Sequence, residues 1–351
     1  MTKIQKVADL AGVSTATVSR ALAGKPSVSP ATRSRVEAAA RELDYVVSAS
    51  ASSLASGKTR NVGVVVPFID SWFYVSVLKG IQRSLADAGY DLTLYHLDPH
   101  AGDGQPRPDN PRRRRLFDEF LRRGRVDALI AVSLELDRAE LESLTAINKP
   151  VVGIGGPLPG IQTLSLDDHE VAKLAVEHLL ALGHRSIAHI AGDQDFEIDF
   201  HLPAHRREGW EDALSGVGLT ADPSLLRTAD FTIAGGYDAT LQLLGDPRIS
   251  PTAVFAASDE MAIGAMLAAR DLGRSVPGDL SVIGIDGHEL SDFFGLTTVD
   301  QFPEVQGRHA VEILLHQLDG DRPEPGNEDL PYELVVRKST GPPPAAAVSA
   351  S

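Results

Sequence analysis

From Asn61 onward the chain repeats one unit, a short run of aliphatic and β-branched residues followed by a stretch long enough for a helix. The runs are VGVVVP, YDLTLYHL, DALIAVS, PVVGIG, RSIAHIAG, TAVFAAS and LSVIGIDG, and Ser76 to Ala88 reads as one of the intervening helices. Strands that are apolar throughout must be covered on both faces, and crossover helices between successive parallel strands supply that cover. The pattern predicts an α/β body of doubly wound parallel sheets. Ligands in such sheets sit beyond the carboxyl ends of the strands. Here those ends fall at Pro67, Gly155, Gly192, Ser258 and Asp286.

The first 60 residues are different in kind. They hold nine Lys and Arg against four Asp and Glu, a net of +5, which leaves −20 for the rest of a chain whose total is −15. A small basic head on an acidic body suits a phosphate-binding module joined to something that must not bind nucleic acid. With 351 residues, two or three folding units are expected. The absence of cysteine rules out disulfides, thiolate-bound zinc and thiol catalysis. MTKIQKVADLAGVS lacks the apolar core of a secretory signal, and no later run reaches the roughly 18 apolar residues a membrane helix needs. The expected location is the cytoplasm, at the nucleoid, with no membrane partner.

In the head, Thr2 can cap a first helix in which Ile4, Val7, Ala8 and Ala11 share one face. Gly12 and Val13 make a tight turn, and Ser14 caps a second helix from Thr15 to about Ala23 that turns Val18, Ala21 and Leu22 inward. Ser29 with Pro30 opens a third helix carrying Val36, Ala39, Ala40 and Leu43. Three helices with a short turn between the first two read as a helix-turn-helix, or as a small alanine-rich bundle. In the first reading the second helix enters a major groove about 12 Å wide. Thr15, Ala16 and Arg20 are then base-edge candidates, while Thr17 and Ser19 hold phosphates. Val46 to Lys58 is a Ser/Ala-rich stretch that by composition alone is a linker.

The run from KVADLAGVSTATVSRALAGKPSVSPATRSRVEAAARELDY to NVGVVVP resembles, nearly position by position, the head of the lactose/galactose repressor (LacI/GalR) family of bacterial transcription regulators. EHLLALGHRSIAHIAG, AASDEMAIGAM, LSVIGIDG, LTTVDQ and ELVVRKST extend the likeness over about residues 3 to 340. The resemblance implies a hinge helix after the third helix, ordered on operator DNA, with Leu54 wedged into the minor groove. It also implies a periplasmic-binding-protein-like body of two lobes. The resulting division is a helix-turn-helix over 1–46, a hinge over 47–60, a first lobe over 61–163 with 300–325, a second over 164–299 with 326–340, and a disordered tail over 341–351.

Carried across residue by residue, the resemblance assigns Arg206, four before Trp210, and Asp286 to the effector's polar groups. It assigns Phe231, six before Tyr237, to its apolar face, Phe73 and Tyr74 to the mouth, and Ser258 to a polar contact. The chemistry is consistent: a buried polyol needs a carboxylate and a guanidinium for its hydroxyls and an aromatic face for its C–H surface. Three departures stand out. Val47-Ser48 and Ala51-Ser52 replace the family's usual hinge pairs, Gly155 stands where many relatives carry an aspartate, and the loop after Gly192 carries Asp193, Asp195, Glu197 and Asp199.

Other clusters carry less. His201, His205 and Asp199 could hold a metal only with Pro203 between them, and no complete ligand set is evident. Asp167, Asp168, His169 and Glu170 read as acids at a helix start. Arg112 to Arg115, with Arg122, Arg123 and Arg125, read as the solvated face of an amphipathic helix. No dinucleotide fingerprint, phosphate loop or nucleophile elbow is found, so no cofactor and no catalytic residues are assigned. The expectation is a homodimeric repressor of a pseudo-palindromic operator in double-stranded DNA, controlled by a sugar-like effector. An exported solute receptor or a carbohydrate enzyme would share the body without the head.

Overall fold

The computed structural model describes residues 3–45, 57–97, 113, 115, 124–146, 148–193, 200–321 and 324–345. Its two units are Met1–Arg60 and Asn61–Ser351. In the first, α1 (Lys3–Ala11), α2 (Thr15–Leu22) and α3 (Pro30–Glu42) close on a core of Val7, Ala8, Ala11, Val18, Ala21, Val28, Val36, Ala39 and Ala40. Such small side chains let three short helices pack closely, so their ends need fixing. The Ser14 hydroxyl accepts the Thr17 N–H and the Ser29 hydroxyl accepts the Thr32 N–H, both at 3.2 Å, and Pro30 opens α3. Gly12, at φ 65°, supplies the left-handed residue that ends α1. Thr2 and residues 46–56, Leu54 among them, lie outside the described residues.

The second unit holds two six-stranded sheets. The first is built from β1 (Asn61–Val66), β2 (Asp91–His96), β3 (Ala128–Val132), β4 (Val151–Ile154), β5 (Gln162–Ser165) and β11 (Asn327–Asp329), in the order β11-β5-β4-β3-β1-β2, all parallel. The second contains β6 (Ile187–Gly192), β7 (Leu226–Ala229), β8 (Ala253–Ala256), β9 (Ser281–Asp286), β10 (Thr297–Asp300) and β12 (Glu333–Val335). Its order is β12-β10-β9-β8-β6-β7, with only β12 antiparallel to its neighbour. The central strands are buried along their length, as their unbroken apolar runs require.

The chain passes between the sheets after Ser165, after Asp300 and after Asp329. The last passage corrects the sequence-based boundary, which placed 326–340 wholly in the second lobe. β11 belongs to the first sheet because Asn327 pairs with Thr163, and its side chain bonds the Thr163 hydroxyl at 2.9 Å and the Ser165 hydroxyl at 2.8 Å. Nor is Gly341 free: its carbonyl accepts from the Ser281 hydroxyl at 3.1 Å and its N–H donates back at 3.0 Å.

The helices are α4 (Trp72–Asp87), α5 (Arg138–Ala146), α6 (Asp168–Ala181), α7 (Leu202–Gly216), α8 (Ile233–Gly245), α9 (Asp259–Asp271), α10 (Ser291–Phe294) and α11 (Pro303–Leu318). Contact between α4 and α11 is close enough that a Cβ on Gly80 would lie 2.0 Å from the Glu304 carbonyl oxygen, and one on Gly307 2.2 Å from that of Val77. That pairing carries α11 back onto the first lobe after the second crossing. Helix α4 starts four residues earlier than expected, which puts Phe73 and Tyr74 in its first turn. Arg113 is not solvated: it pairs with Glu140 on α5, at 2.8 Å through Nη2, with both side chains largely buried. Arg112, Arg114, Arg122 and Arg123 lie outside the described residues.

Under the second sheet, His189 is fully buried, stacked on Phe255 at 4.6 Å between centroids, with Nδ1 against the Phe255 carbonyl at 3.0 Å. Burial holds the imidazole neutral and lowers its pKa to about 4. Below pH 6.5 the unfolded chain binds a proton that the folded one refuses, so stability is lost as pH falls from 6.5 toward 4. The expected loss is ~3 kcal/mol. Urea unfolding at pH 7 and pH 4.5 should show this loss in the native protein and a smaller one in His189→Phe; an equal loss in both would rule His189 out as its source.

Candidate functional site

Between the two sheets lies a cavity of about 420 Å³, within the usual range for a small-molecule site. Phe73, Tyr74, Arg206, Phe231, Ser258 and Asp286, chosen from the sequence, all line it. They arrive from separate places: the first turn of α4, the first half of α7, the β7–α8 connection, the cap of α9 and the end of β9. Each lies near the carboxyl end of a strand or at a helix start facing it, as the topology dictates.

The floor is a linked set of buried polar groups. Asp286 accepts from the Gln301 amide at 2.6 Å through Oδ1 and from the backbone N–H of Asp259 at 3.3 Å through Oδ2. Burial, and then the charge of Asp259, push its carboxyl well above the usual carboxylate range, with Arg206 opposing. Asp259 is itself buried, which pushes it up to about 6, against hydrogen bonds to Oδ2 from the His288 N–H and the Ser291 hydroxyl that favour its charged form. Gln301 is held in turn, its carbonyl accepting from the Gln306 amide at 2.7 Å.

Arg206, 2% exposed, donates through Nε to Asp168 Oδ1 at 2.8 Å and through Nη1 to the Ala257 carbonyl. Asp168 is an acid in the first turn of α6, as the sequence reading has it, and it has a second role there. Asp167 does cap α6, accepting the Glu170 N–H at 3.1 Å, while Asp168 lines the cavity and fixes the guanidinium. A buried arginine with one carboxylate and one carbonyl partner keeps donors for a third acceptor.

Backbone strain gathers here. Ser133 (φ 43°), Phe231 (φ 60°) and Asp286 (φ 140°) occupy regions that L residues rarely adopt, each costing about 1–3 kcal/mol. Phe231 lies so close over β6 that a Cβ on Gly192 would meet its ring at 2.1 Å. Gly155 is constrained likewise: it sits at φ 108°, and a Cβ there would lie 2.8 Å from Ser133 Oγ. A side chain at this position would be strained by that φ and would press on Ser133.

Asp70, Asp193, Asp230 and Glu260 add to the lining, making six carboxylates with one guanidinium when the floor's Asp168 and Asp286 are included. Burial raises the Glu260 carboxyl, and the charges of Asp70 and Asp230 raise it further. Of the acidic loop, Asp193 reaches the cavity, while Asp195, Glu197 and Asp199 lie outside the described residues. Among the described residues no group of three or more His, Cys, Asp or Glu could hold a metal ion. The sequence reading missed Asp168, Glu260 and Gln301. Gln301 follows the end of β10 directly, so the strand-end rule could have found it.

In the head, Ala16, Ser19 and Arg20 are exposed on α2 and Thr15 is partly so. Thr17 is partly exposed, and its hydroxyl lies 3.0 Å from that of Ser14. No helix among the described residues is long and apolar enough to cross a membrane.

The model of bacterial regulatory proteins of the lacI family matches residues 3–48, and that of a periplasmic binding protein-like domain matches 176–340. The HTH-type transcriptional repressor CytR of Escherichia coli K12 is 34% identical over 342 residues, 96% of either chain. The ribose operon repressor of the same strain is 35% identical over 91% of this chain and 93% of its own. A solved structure of the lac repressor dimer bound to operator and the anti-inducer ONPF superposes with a TM-score of 0.81 at 29% identity, over 95% of this chain and 98% of the other. This chain belongs to the lacI family of bacterial regulatory proteins.

Proposed function

We propose that the protein is a cytoplasmic, nucleoid-associated transcription repressor rather than an enzyme. It binds a pseudo-palindromic operator as a homodimer, and its DNA affinity is set by a hydroxylated effector between the lobes. One observation carries this reading: six residues taken from dispersed strand and helix ends line a single cavity whose floor pairs Asp286 with Gln301 and Arg206 with Asp168. Asp286 and Arg206 supply acceptors and donors for hydroxyls, and Phe231 supplies a face for C–H surface. The named partners of relatives point the same way, bound ribose in a LacI family transcriptional regulator from Enterococcus faecium and an operator with ONPF for the lac repressor dimer. Six carboxylates against one guanidinium, itself paired with Asp168, disfavour a phosphorylated ligand, which would be buried beside like charge.

For DNA, Thr15, Ala16 and Arg20 read base edges, Thr17 and Ser19 contact phosphates, and Leu54 wedges into the minor groove. The effector acts by binding one arrangement of the lobes better than another, since only a difference in affinity can shift the equilibrium. An exported receptor would have no use for a basic three-helix head, and an enzyme would need an acid/base pair free to act.

Selection of bound duplexes from a random pool by the purified chain, with and without sugars, nucleosides and sugar phosphates, should enrich a two-fold-symmetric site. Its recovery should change with a non-phosphorylated compound. Enrichment of nothing, or indifference to every compound, would contradict the proposal. On the selected site, Arg20→Ala should lose about 1–3 kcal/mol of discrimination at one base pair. Leu54→Ala should weaken specific binding far more than non-specific binding; equal losses would remove the wedge. Asp286→Ala should retain operator binding and lose the compound's effect, with no product formed from that compound by either protein.

A further inference from the structure

At the edge of the cleft, two side chains of the second lobe close on the first turn of α4 in the first. Ser71 precedes α4 but makes no capping bond through its side chain. The Trp72 N–H donates instead to Glu260 Oε2, 3.4 Å away at the start of α9. The Trp72 indole lies on the His288 imidazole, with centroids 4.4 Å apart and planes inclined by 27°. A helix N-terminus capped by a carboxylate of the other lobe, beside a stacked pair, resists separation of the lobes through both dipole and dispersion terms.

The same residues connect to the floor of the cavity. The His288 N–H donates to Asp259 Oδ2 at 2.8 Å, and the Ser291 hydroxyl donates to the same oxygen at 2.9 Å. Asp259 in turn gives its N–H to Asp286 Oδ2. Only Gly287, at φ 77°, separates strained Asp286 from His288. A ligand hydroxyl donating to Asp286 is therefore two hydrogen bonds from His288, through the Asp259 N–H on one side and the Asp259 carboxylate on the other.

We propose that Trp72, Glu260 and His288 form a latch holding the lobes together, and that Asp259 is the positioning residue that couples this latch to whatever occupies Asp286. The coupling rests on the reading of the cavity as the effector site; the latch does not.

Trp72 and Trp210 are the two tryptophans of the chain, and Trp210 is 1% exposed in the core of the second lobe. Acrylamide quenching of the full-length chain, read in Trp210→Phe and also as the quenchable fraction with Trp210 retained, reports on Trp72. Without ligand, His288→Ala should raise the Trp72 quenching constant about threefold, and Glu260→Ala should raise it less. Unchanged quenching in both would overturn the latch and leave the effector reading standing.

Asp286→Ala, which does not touch Trp72, should also raise quenching, and should add little once Asp259→Asn or the milder Ser291→Ala is present. Thermal unfolding of each variant identifies any rise that comes from global loosening. An Asp286→Ala that leaves Trp72 unchanged, or whose effect simply adds to that of the Asp259 and Ser291 variants, would overturn the coupling. The effector reading fails separately, if operator recovery ignores every compound.

Discussion

Two carboxylates buried side by side, Asp286 at the end of β9 and Asp259 at the start of α9, are the constraint on which the rest of the body is organised. Neither is stable there as an isolated charge, and the fold answers with directed donors. Gln301 comes from the second crossing, the Asp259 N–H from a helix start, the His288 N–H from the loop beyond β9 and the Ser291 hydroxyl from the start of α10. Arg206, held by Asp168, lies close enough to oppose the rise in the Asp286 carboxyl. Holding the pair thus ties together a strand end, a crossover and three helix starts, and those groups line the cavity or support its floor. The strain at Asp286 and Phe231 is consistent with a backbone held by its surroundings rather than by local preference.

The division of charge gives the molecule its second constraint. A head at +5 is drawn to phosphate, while a body at −20 is repelled by it, which favours contact with DNA through the small module. The acids that line the cavity belong to the same acidic excess. They suit a ligand recognised through hydroxyls, and the charges of Asp70 and Asp230 add to burial in raising the Glu260 carboxyl.

Much of this was legible in the sequence because it is written locally. Ser14 and Ser29 announce their helices, the alternation from Asn61 announces the sheets, and the strand-end rule led toward Ser258 and Asp286. What was missed depends on partners far along the chain. Asp168 looks like an ordinary helix-opening acid until α7 brings Arg206 against it. The start of α4 at Trp72 depends on Glu260, 188 residues later, and β11 has three exposed residues without an apolar pattern. Arg113 looks solvated until Glu140 on α5 meets it. The family likeness supplied Arg206 and Phe231, which no local pattern singles out; the structure adds that a side chain at Gly155 would be strained at φ 108°.

The central claim is that one body couples two ligands, and coupling free energy is reciprocal. The decisive measurement is a paired titration: operator affinity at increasing concentrations of the active compound, and affinity for that compound at increasing concentrations of operator. The account predicts the same factor in both directions, removed in both by Asp286→Ala. A compound that changes operator binding while its own affinity ignores the operator would contradict it.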